Sequence, residues 1–278
     1  MTTKKLPVKI LTYAFLIIVA LVVLFPIYVT FVTAFKTTAE STQNFFSLPS
    51  SLYMGNIQEV MSDEHFGDYV RNSLLITGVS VAVIAVMIPM VSYAIAREMK
   101  SHKYFNVIYV LILLSMFAPF QALMTPLTQL CTKLGVMNQG GLILIYLAFS
   151  LGQGVFLFTS YYNSIPLELE EAATIDGYTT TQTFFGIVFP LAKPMTVTII
   201  ILNTLWIWND FLLPLLILNK SADMWTLPLY QYNFKSAYTF DYNLAFASFL
   251  FSIVPMIVLY IVLQRNIIEG LTAGAVKT

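Results

Sequence analysis

Residues 164–190, SIPLELEEAATIDGYTTTQTFFGIVFP, interrupt a chain that is otherwise largely apolar. This stretch, here called the acidic loop, holds four of the fourteen acidic residues and two prolines. It lies between two long apolar runs. Because charged side chains are costly inside a bilayer, we expect the acidic loop to lie outside it and to contact something there.

The composition of the whole chain places it in a membrane. Of its 278 residues, 58% are hydrophobic and only 10% are charged, whereas soluble domains are about 25% charged. The formal net charge is zero, which gives no reason to expect a nucleic-acid partner. The single cysteine, Cys131, excludes an intrachain disulfide and a cysteine-cluster metal site, and the two histidines, His65 and His102, lie far apart on predicted loops. We therefore expect no metal site.

Apolar runs long enough to cross a bilayer as helix, about 20 residues each, occur six times. We predict an all-α membrane protein whose six transmembrane helices cover residues 10–34, 70–96, 105–128, 141–163, 193–217 and 243–264. The remaining segments are an N-terminus at 1–9, an extracytoplasmic loop at 35–69 and a C-terminal tail at 265–278.

Lysine and arginine residues indicate the orientation of these spans. With the N-terminus in the cytoplasm, nine of them lie inside and five outside. Both basic clusters, residues 4–9 and 97–103, then lie inside. We predict an N-in, C-in topology, which places the acidic loop and the C-terminal tail in the cytoplasm.

The first half of the acidic loop has the signals of a short helix at residues 166–176. Pro166 suits a first helical turn, and Glu168, Glu170 and Glu171 favour the positive end of the helix dipole. Gly177 stands where a left-handed residue ends a helix. One predicted helix face, offered for close contact with a partner, contains Ile165, Leu169, Ala172 and Ala173.

The second half of the acidic loop begins with a predicted capping box, Thr179 with Gln182. It indicates a second short helix at 180–188, which we expect Pro190 to end. Two short helices joined at Gly177 suit a groove on another protein. The alternative is an amphipathic linker lying on the membrane surface.

The spacing within the acidic loop adds a resemblance to a known family. Glu171-Ala172-Ala173, three residues, Gly177, nine residues, then Ile187-x-Phe189-Pro190 resembles the EAA motif of ABC importer permeases. Phe189 stands where that family usually has leucine. Outside the loop, Asn72-Ser73-Leu74, Ala94-Ile95-Ala96-Arg97, Trp208-Asn209-Asp210-Phe211 and Thr226-Leu227-Pro228 look like the same family, and the C-terminal tail looks like its sugar-importer branch, specifically the smaller maltose permease subunit.

The resemblance implies a type I ABC importer fold in a bacterial or archaeal cytoplasmic membrane. It implies a second permease subunit, two ATPase subunits, an extracytoplasmic solute-binding protein and a sugar substrate. ATP and magnesium would bind the ATPase subunits, and this chain carries no GxxxxGK[ST] loop of its own. The coupling residues implied are Glu171, Ala172, Ala173, Gly177, Ile187 and Pro190.

Polar residues in the apolar runs mark a possible translocation path. Asp210 is the only acid well inside such a run, and Asn203, Trp206 and Asp210 share one helical face. Asn209 and Gln153 are further candidates. The alternative for Asp210 is a structural hydrogen bond near the outer interface.

Two other function classes compete with this interpretation, and the residues give both little support. An ion-coupled secondary transporter normally shows two related halves and buried coupling charges. An intramembrane zinc protease needs an HExxH motif, which the sequence lacks.

Overall fold

The computed structural model describes residues 6–234 and 241–275, and in this part of the chain all regular structure is helical. The α-helices are α1 (Leu6–Ala34), α2 (Thr38–Gln43), α3 (Gly55–Met61), α4 (Phe66–Glu98), α5 (Lys103–Ser115), α6 (Phe120–Leu134), α7 (Gln139–Tyr162), α8 (Glu168–Ile175), α9 (Thr180–Thr183), α10 (Phe189–Leu191), α11 (Lys193–Asn209), α12 (Leu212–Leu218), α13 (Leu227–Gln231) and α14 (Tyr242–Ala275). The chain forms two compact units. One contains α1, α2, α3 and the N-terminal part of α14, and the other contains α5–α12 and all but the first residue of α4.

Four of the predicted spans correspond to single helices. Within the described residues α1, α4, α7 and α14 are long and apolar enough to cross a membrane. Two bent helix pairs, Lys103–Ser115 with Phe120–Leu134 and Thr180–Leu191 with Lys193–Asn209, raise that number to as many as six if each pair is one span. The all-helical prediction is confirmed for this part of the chain. The last helix continues to Ala275, well into the predicted tail, and residues 276–278 lie outside the described residues.

The third and fifth predicted spans are not single helices. At residues 105–128 the chain divides into α5 and α6, which meet at 106°. Pro119 lies at this break, in an extended conformation, as the residue that caps α6. At residues 193–217 the helix stops after Asn209, and α12 begins two residues beyond Asp210.

In the first unit, two asparagine side chains satisfy carbonyl groups at the end of α1. Asn56 Nδ2 donates to the oxygens of Ala34 at 2.9 Å and Lys36 at 2.7 Å. Asn243 Nδ2 donates to Thr33 O at 3.0 Å and to Lys36 O at 2.9 Å. The last carbonyls of a helix lack partners within the helix, so these amides replace water there. They connect α1 to α3 and α14.

The lysine that follows α1 is buried with its charge hydrogen-bonded. Lys36 Nζ donates to the carbonyls of Asn44 and Phe45, at 2.9 Å and 3.2 Å, and to Ser47 Oγ at 3.1 Å. Burial lowers the pKa of Lys36 from its ordinary value. The predicted loop at 35–69 is thus an ordered segment around this ammonium group, with α2 and α3 inside it.

In the second unit, α7 is the central helix. It packs against α5, α11 and α12. Its side chains Leu142, Tyr146, Phe158 and Tyr162 are fully buried. The acidic loop follows directly from the end of this helix.

Candidate functional site

The first helix of the acidic loop is shorter than predicted and ends as predicted. It runs from Glu168 to Ile175. Gly177 follows with φ at +84°, the left-handed conformation. The amide of Gly177 donates to Thr174 O at 3.1 Å, and that of Tyr178 donates to Ala173 O at 2.9 Å. This pair of bonds is the Schellman motif, so Gly177 turns the chain at the end of α8.

The second helix of the acidic loop starts as predicted and ends later. The capping box is present, because the amide of Thr179 donates to Gln182 Oε1 at 2.9 Å and that of Gln182 to Thr179 Oγ1 at 3.4 Å. The prediction that Pro190 ends the helix is wrong, since the helical run continues through a π-helical turn at Phe184–Val188 to Leu191. Pro190 lies two residues after the end of the π-helical turn, in the short helix α10.

The predicted contact face of α8 is divided between two directions. Leu169 and Ala172 are exposed, as is Glu171. Ala173 is buried, only 4% exposed, so the prediction that it lies on the open face is wrong. Ala173 follows Glu170 by three residues, and both point toward the chain's own core.

Glu170 makes the strongest contacts of the acidic loop. Its Oε1 lies 2.6 Å from Arg97 Nη2 and accepts from Arg97 Nε at 2.8 Å, while its Oε2 accepts from Tyr93 Oη at 2.6 Å. Arg97 Nη1 donates to the carbonyl of Tyr162, the last residue of α7, at 3.0 Å. The side chains of Arg97 and Glu170 are 16% and 10% exposed. This group of four residues, the Glu170 clasp, joins α8 to the last turns of α4 and α7.

Sequence reasoning gave Glu170 no role beyond the helix dipole. Glu168, Glu170 and Glu171 are alike in one helical turn, and only burial distinguishes them. Two features of the sequence could have indicated the role of Glu170. Ala173, a small residue three positions later, is compatible with an inward helix face, and Arg97 ends an apolar run.

The second compact unit also contains an open cavity of about 740 Å³. Of the predicted path residues, Gln153, Trp206 and Asp210 line it, with Phe120 and Phe149 among the aromatic lining. Trp206 is 39% exposed. A cavity with aromatic faces and a few polar groups suits a small ligand that has both apolar and polar surfaces.

The other two predicted path residues are not among those that line the cavity. Asn203 is buried, and its amide joins α11 to α7: Nδ2 donates to Ile199 O at 2.9 Å, and Oδ1 accepts from Ser150 Oγ at 2.7 Å. Asn209 Nδ2 donates to Leu205 O within its own helix, at 2.7 Å. The shared face predicted for Asn203, Trp206 and Asp210 therefore contributes only Trp206 and Asp210 to the cavity.

Asp210 makes a structural hydrogen bond and also borders the cavity. Its Oδ2 accepts from Tyr146 Oη at 2.9 Å, and its Oδ1 accepts from the amide of Leu212 at 3.1 Å. The structural hydrogen bond is therefore present. The same carboxylate borders the cavity, at the break between α11 and α12.

Three similarities to known proteins agree with this architecture. The multiple sugar-binding transport system permease protein MsmG of Streptococcus mutans is 43% identical over 266 residues, which are 95% of this chain and 96% of that protein. The melibiose/raffinose/stachyose import permease protein MelC of Bacillus subtilis is 32% identical, with 94% of each chain covered. A crystal structure of a bacterial ABC transporter involved in the import of the acidic polysaccharide alginate has the same fold, with a TM-score of 0.80 over 95% of this chain and 98% of the other, at 24% identity.

A family model also matches residues 88–271, more than half of the chain. It describes the inner membrane component of binding-protein-dependent transport systems. The matched segment includes the acidic loop, all four residues of the Glu170 clasp and the residues that line the cavity. The chain therefore belongs to the family of binding-protein-dependent transport system inner membrane components.

Proposed function

We propose that this chain is the permease subunit of an ATP-driven importer that carries an oligosaccharide into the cytoplasm. Family membership and the high identity to MsmG are the observations that carry this proposal. The names of further relatives point the same way, since AmyC of Thermoanaerobacterium thermosulfurigenes is described as a probable permease for starch degradation products. Besides this chain, the importer would contain a second permease subunit, two ATPase subunits and an extracytoplasmic binding protein.

In the proposed importer the chain crosses the membrane six times, with both ends in the cytoplasm. The excess of lysine and arginine on one side supports this orientation. Beyond the four long helices, the bent pair of α5 and α6 is the proposed third span, and α11 with the α12 segment is the proposed fifth. The acidic loop then faces the ATPase subunits, and the 35–69 segment faces the binding protein.

The exposed side of the acidic loop is the proposed docking surface for an ATPase subunit. Glu171 offers a charge and Ala172 permits close approach, and both are exposed. Gly177 sets the angle between the two short helices through its left-handed conformation. Ala173 is buried beneath this surface, whereas Ile187 is half-buried and Pro190 is exposed. Closure of the ATPase pair on ATP and magnesium would push this surface and rock the spans.

The cavity lined by Gln153, Trp206 and Asp210 is the proposed stretch of the sugar path in this subunit. Its aromatic and polar lining suits a sugar, which has both apolar faces and hydroxyl groups. An ion-coupled transporter finds no support in the family to which the chain belongs.

The test is sugar uptake by the importer, purified with its partner subunits and reconstituted into vesicles that contain ATP and magnesium. Labelled raffinose, maltotriose and stachyose are offered with the binding protein outside. We expect accumulation of at least one of them that stops without ATP and is unchanged when the ion gradient is collapsed. Accumulation that needs an ion gradient and no ATPase subunit would contradict the proposal.

A matched pair of variants tests the docking surface in the same vesicles. Glu171→Lys reverses a charge at the proposed interface, whereas Lys100→Glu reverses an exposed charge outside the acidic loop. Substitution of a residue at the centre of a protein interface typically costs more than about 1 kcal/mol of binding free energy. We expect the first variant to lose most uptake and the second to retain it. Equal uptake by the two variants would remove Glu171 from the interface.

A further inference from the structure

The Glu170 clasp joins three helices that have no other charged connection at this point among the described residues. Only residues 163–167 link α8 to α7 along the chain, and α8 has no direct covalent link to α4. Arg97 bonds both Glu170 and the terminal carbonyl of α7. A cation at a helix C-terminus and an anion in a first helical turn are each favoured by the helix dipoles. One guanidinium therefore fixes two helix ends at once.

Tyr93 extends this connection to the second half of the acidic loop. Its ring centroid lies 5.0 Å from that of Phe184, in the π-helical turn, and 5.9 Å from that of Tyr162. Its hydroxyl donates to Glu170. Both short helices of the loop thus contact the same residue of α4.

The clasp faces away from the proposed docking surface. Glu170 and Ala173 are buried, whereas Glu171 and Ala172 are exposed. Neighbouring glutamates therefore have different surroundings: one bonds α4, and the next is free to meet another subunit. A force applied at the exposed side of α8 has a direct route through Glu170 to the end of α4.

We propose that Glu170 is a positioning residue that makes the acidic loop move as one body with the last turns of α4 and α7. This inference rests on the proposed function, in which the loop receives the movement of the ATPase subunits. Without the clasp, α8 would turn on its linker, and ATP would be hydrolysed without moving the spans.

The first test measures sugar imported per ATP hydrolysed, with labelled raffinose as the probe. The variants are Glu170→Gln, which keeps the shape of the side chain and loses its charge, and Glu98→Gln as the control, a partly exposed glutamate outside both the acidic loop and the clasp. We expect Glu170→Gln to assemble and hydrolyse ATP while the ratio falls by about 2- to 30-fold, the range found when coupling residues are changed. The control ratio stays at the wild-type value.

A charge exchange separates positioning from general stability. Arg97→Glu alone should lower the ratio, and the double variant Arg97→Glu with Glu170→Arg should recover part of it, because the ion pair is restored in reverse. A wild-type ratio in Glu170→Gln would overturn the inference. So would a loss of uptake that only parallels a loss of assembled complex, with no recovery in the double variant.

The second test needs no sugar and is therefore independent of the proposed substrate. Spin labels are placed at Met90 on α4 and Ile175 on α8, both exposed, in a variant with Cys131 replaced by serine. In the assembled importer we expect one narrow distance distribution, equal with and without ATP and magnesium. In Glu170→Gln we expect the distribution to broaden and to change with ATP. If the wild-type distance changes as much as that of the variant, the loop and α4 do not move as one body.

The two tests fail in different ways. Vesicles in which the wild-type importer takes up none of the offered sugars contradict the proposed substrate class, and the label distances still decide the role of Glu170.

Discussion

At the scale of single residues, Gly177 provides the sharpest prediction. A β-carbon added there would meet no atom within 4 Å, so its role is conformational rather than steric. Left-handed backbone costs most residues roughly 1–2 kcal/mol, asparagine less and β-branched residues more. We expect Gly177→Val to lose sugar uptake and Gly177→Asn to keep most of it, as measured in vesicles with matched amounts of assembled complex.

Gly186 supplies the control for this prediction. It lies in the same loop, in the π-helical turn, and a β-carbon there would come no closer than 3.9 Å to Tyr178. Gly186→Val should therefore leave uptake close to normal. Full activity in Gly177→Val would show that the angle between α8 and α9 does not matter for coupling.

The same residues show what a sequence reveals and what it hides. Gly177 and the capping box of Thr179 could be predicted because their chemistry is local and acts within a few residues. Glu170 could not be separated from Glu168 and Glu171, because its role depends on Arg97, which is 73 positions away in the chain.

At the scale of helices, the contact between α4 and α7 depends on Gly154. A β-carbon there would lie 2.6 Å from Ile88 Cδ1 and 2.7 Å from its Cγ2, and Ile88 is fully buried. Overpacking of this kind typically costs about 1–3 kcal/mol. We expect Gly154→Ala to lower the thermal stability of the assembled, detergent-solubilised complex, and Gly154→Leu to lower it further.

A double variant tests whether this loss arises at the named contact. Ile88→Ala removes the atoms that the new methyl group would meet, so the double variant should lose less stability than the two single losses added together. The difference measures the coupling between the two positions. Strictly additive losses would place the effect of Gly154→Ala elsewhere.

Helix interruptions were the least predictable part of the fold. Residues 105–128 and 193–217 are apolar enough to look like single spans, since hydropathy records composition and not backbone direction. Pro119 gave a local reason for a break, but not for a bend of 106°. At Asp210 the break depends on Tyr146, a partner on another helix, and on the amide of Leu212.

At the scale of the whole molecule, the cavity predicts that this subunit takes part in choosing the sugar. Its exposed indole, Trp206, packs edge-on against Tyr146, with ring centroids 5.4 Å apart, and this contact orients the ring. We expect Trp206→Ala to reduce uptake of the preferred sugar by about tenfold, equivalent to about 1.4 kcal/mol, while Trp206→Phe retains more. Leu205→Ala, a truncation of the adjacent exposed residue on the same helix, is the control and should have little effect. The measurement is uptake at saturating binding protein, with ATP hydrolysis recorded alongside. If Trp206→Ala and Leu205→Ala reduced uptake equally, the cavity would have no part in sugar selection.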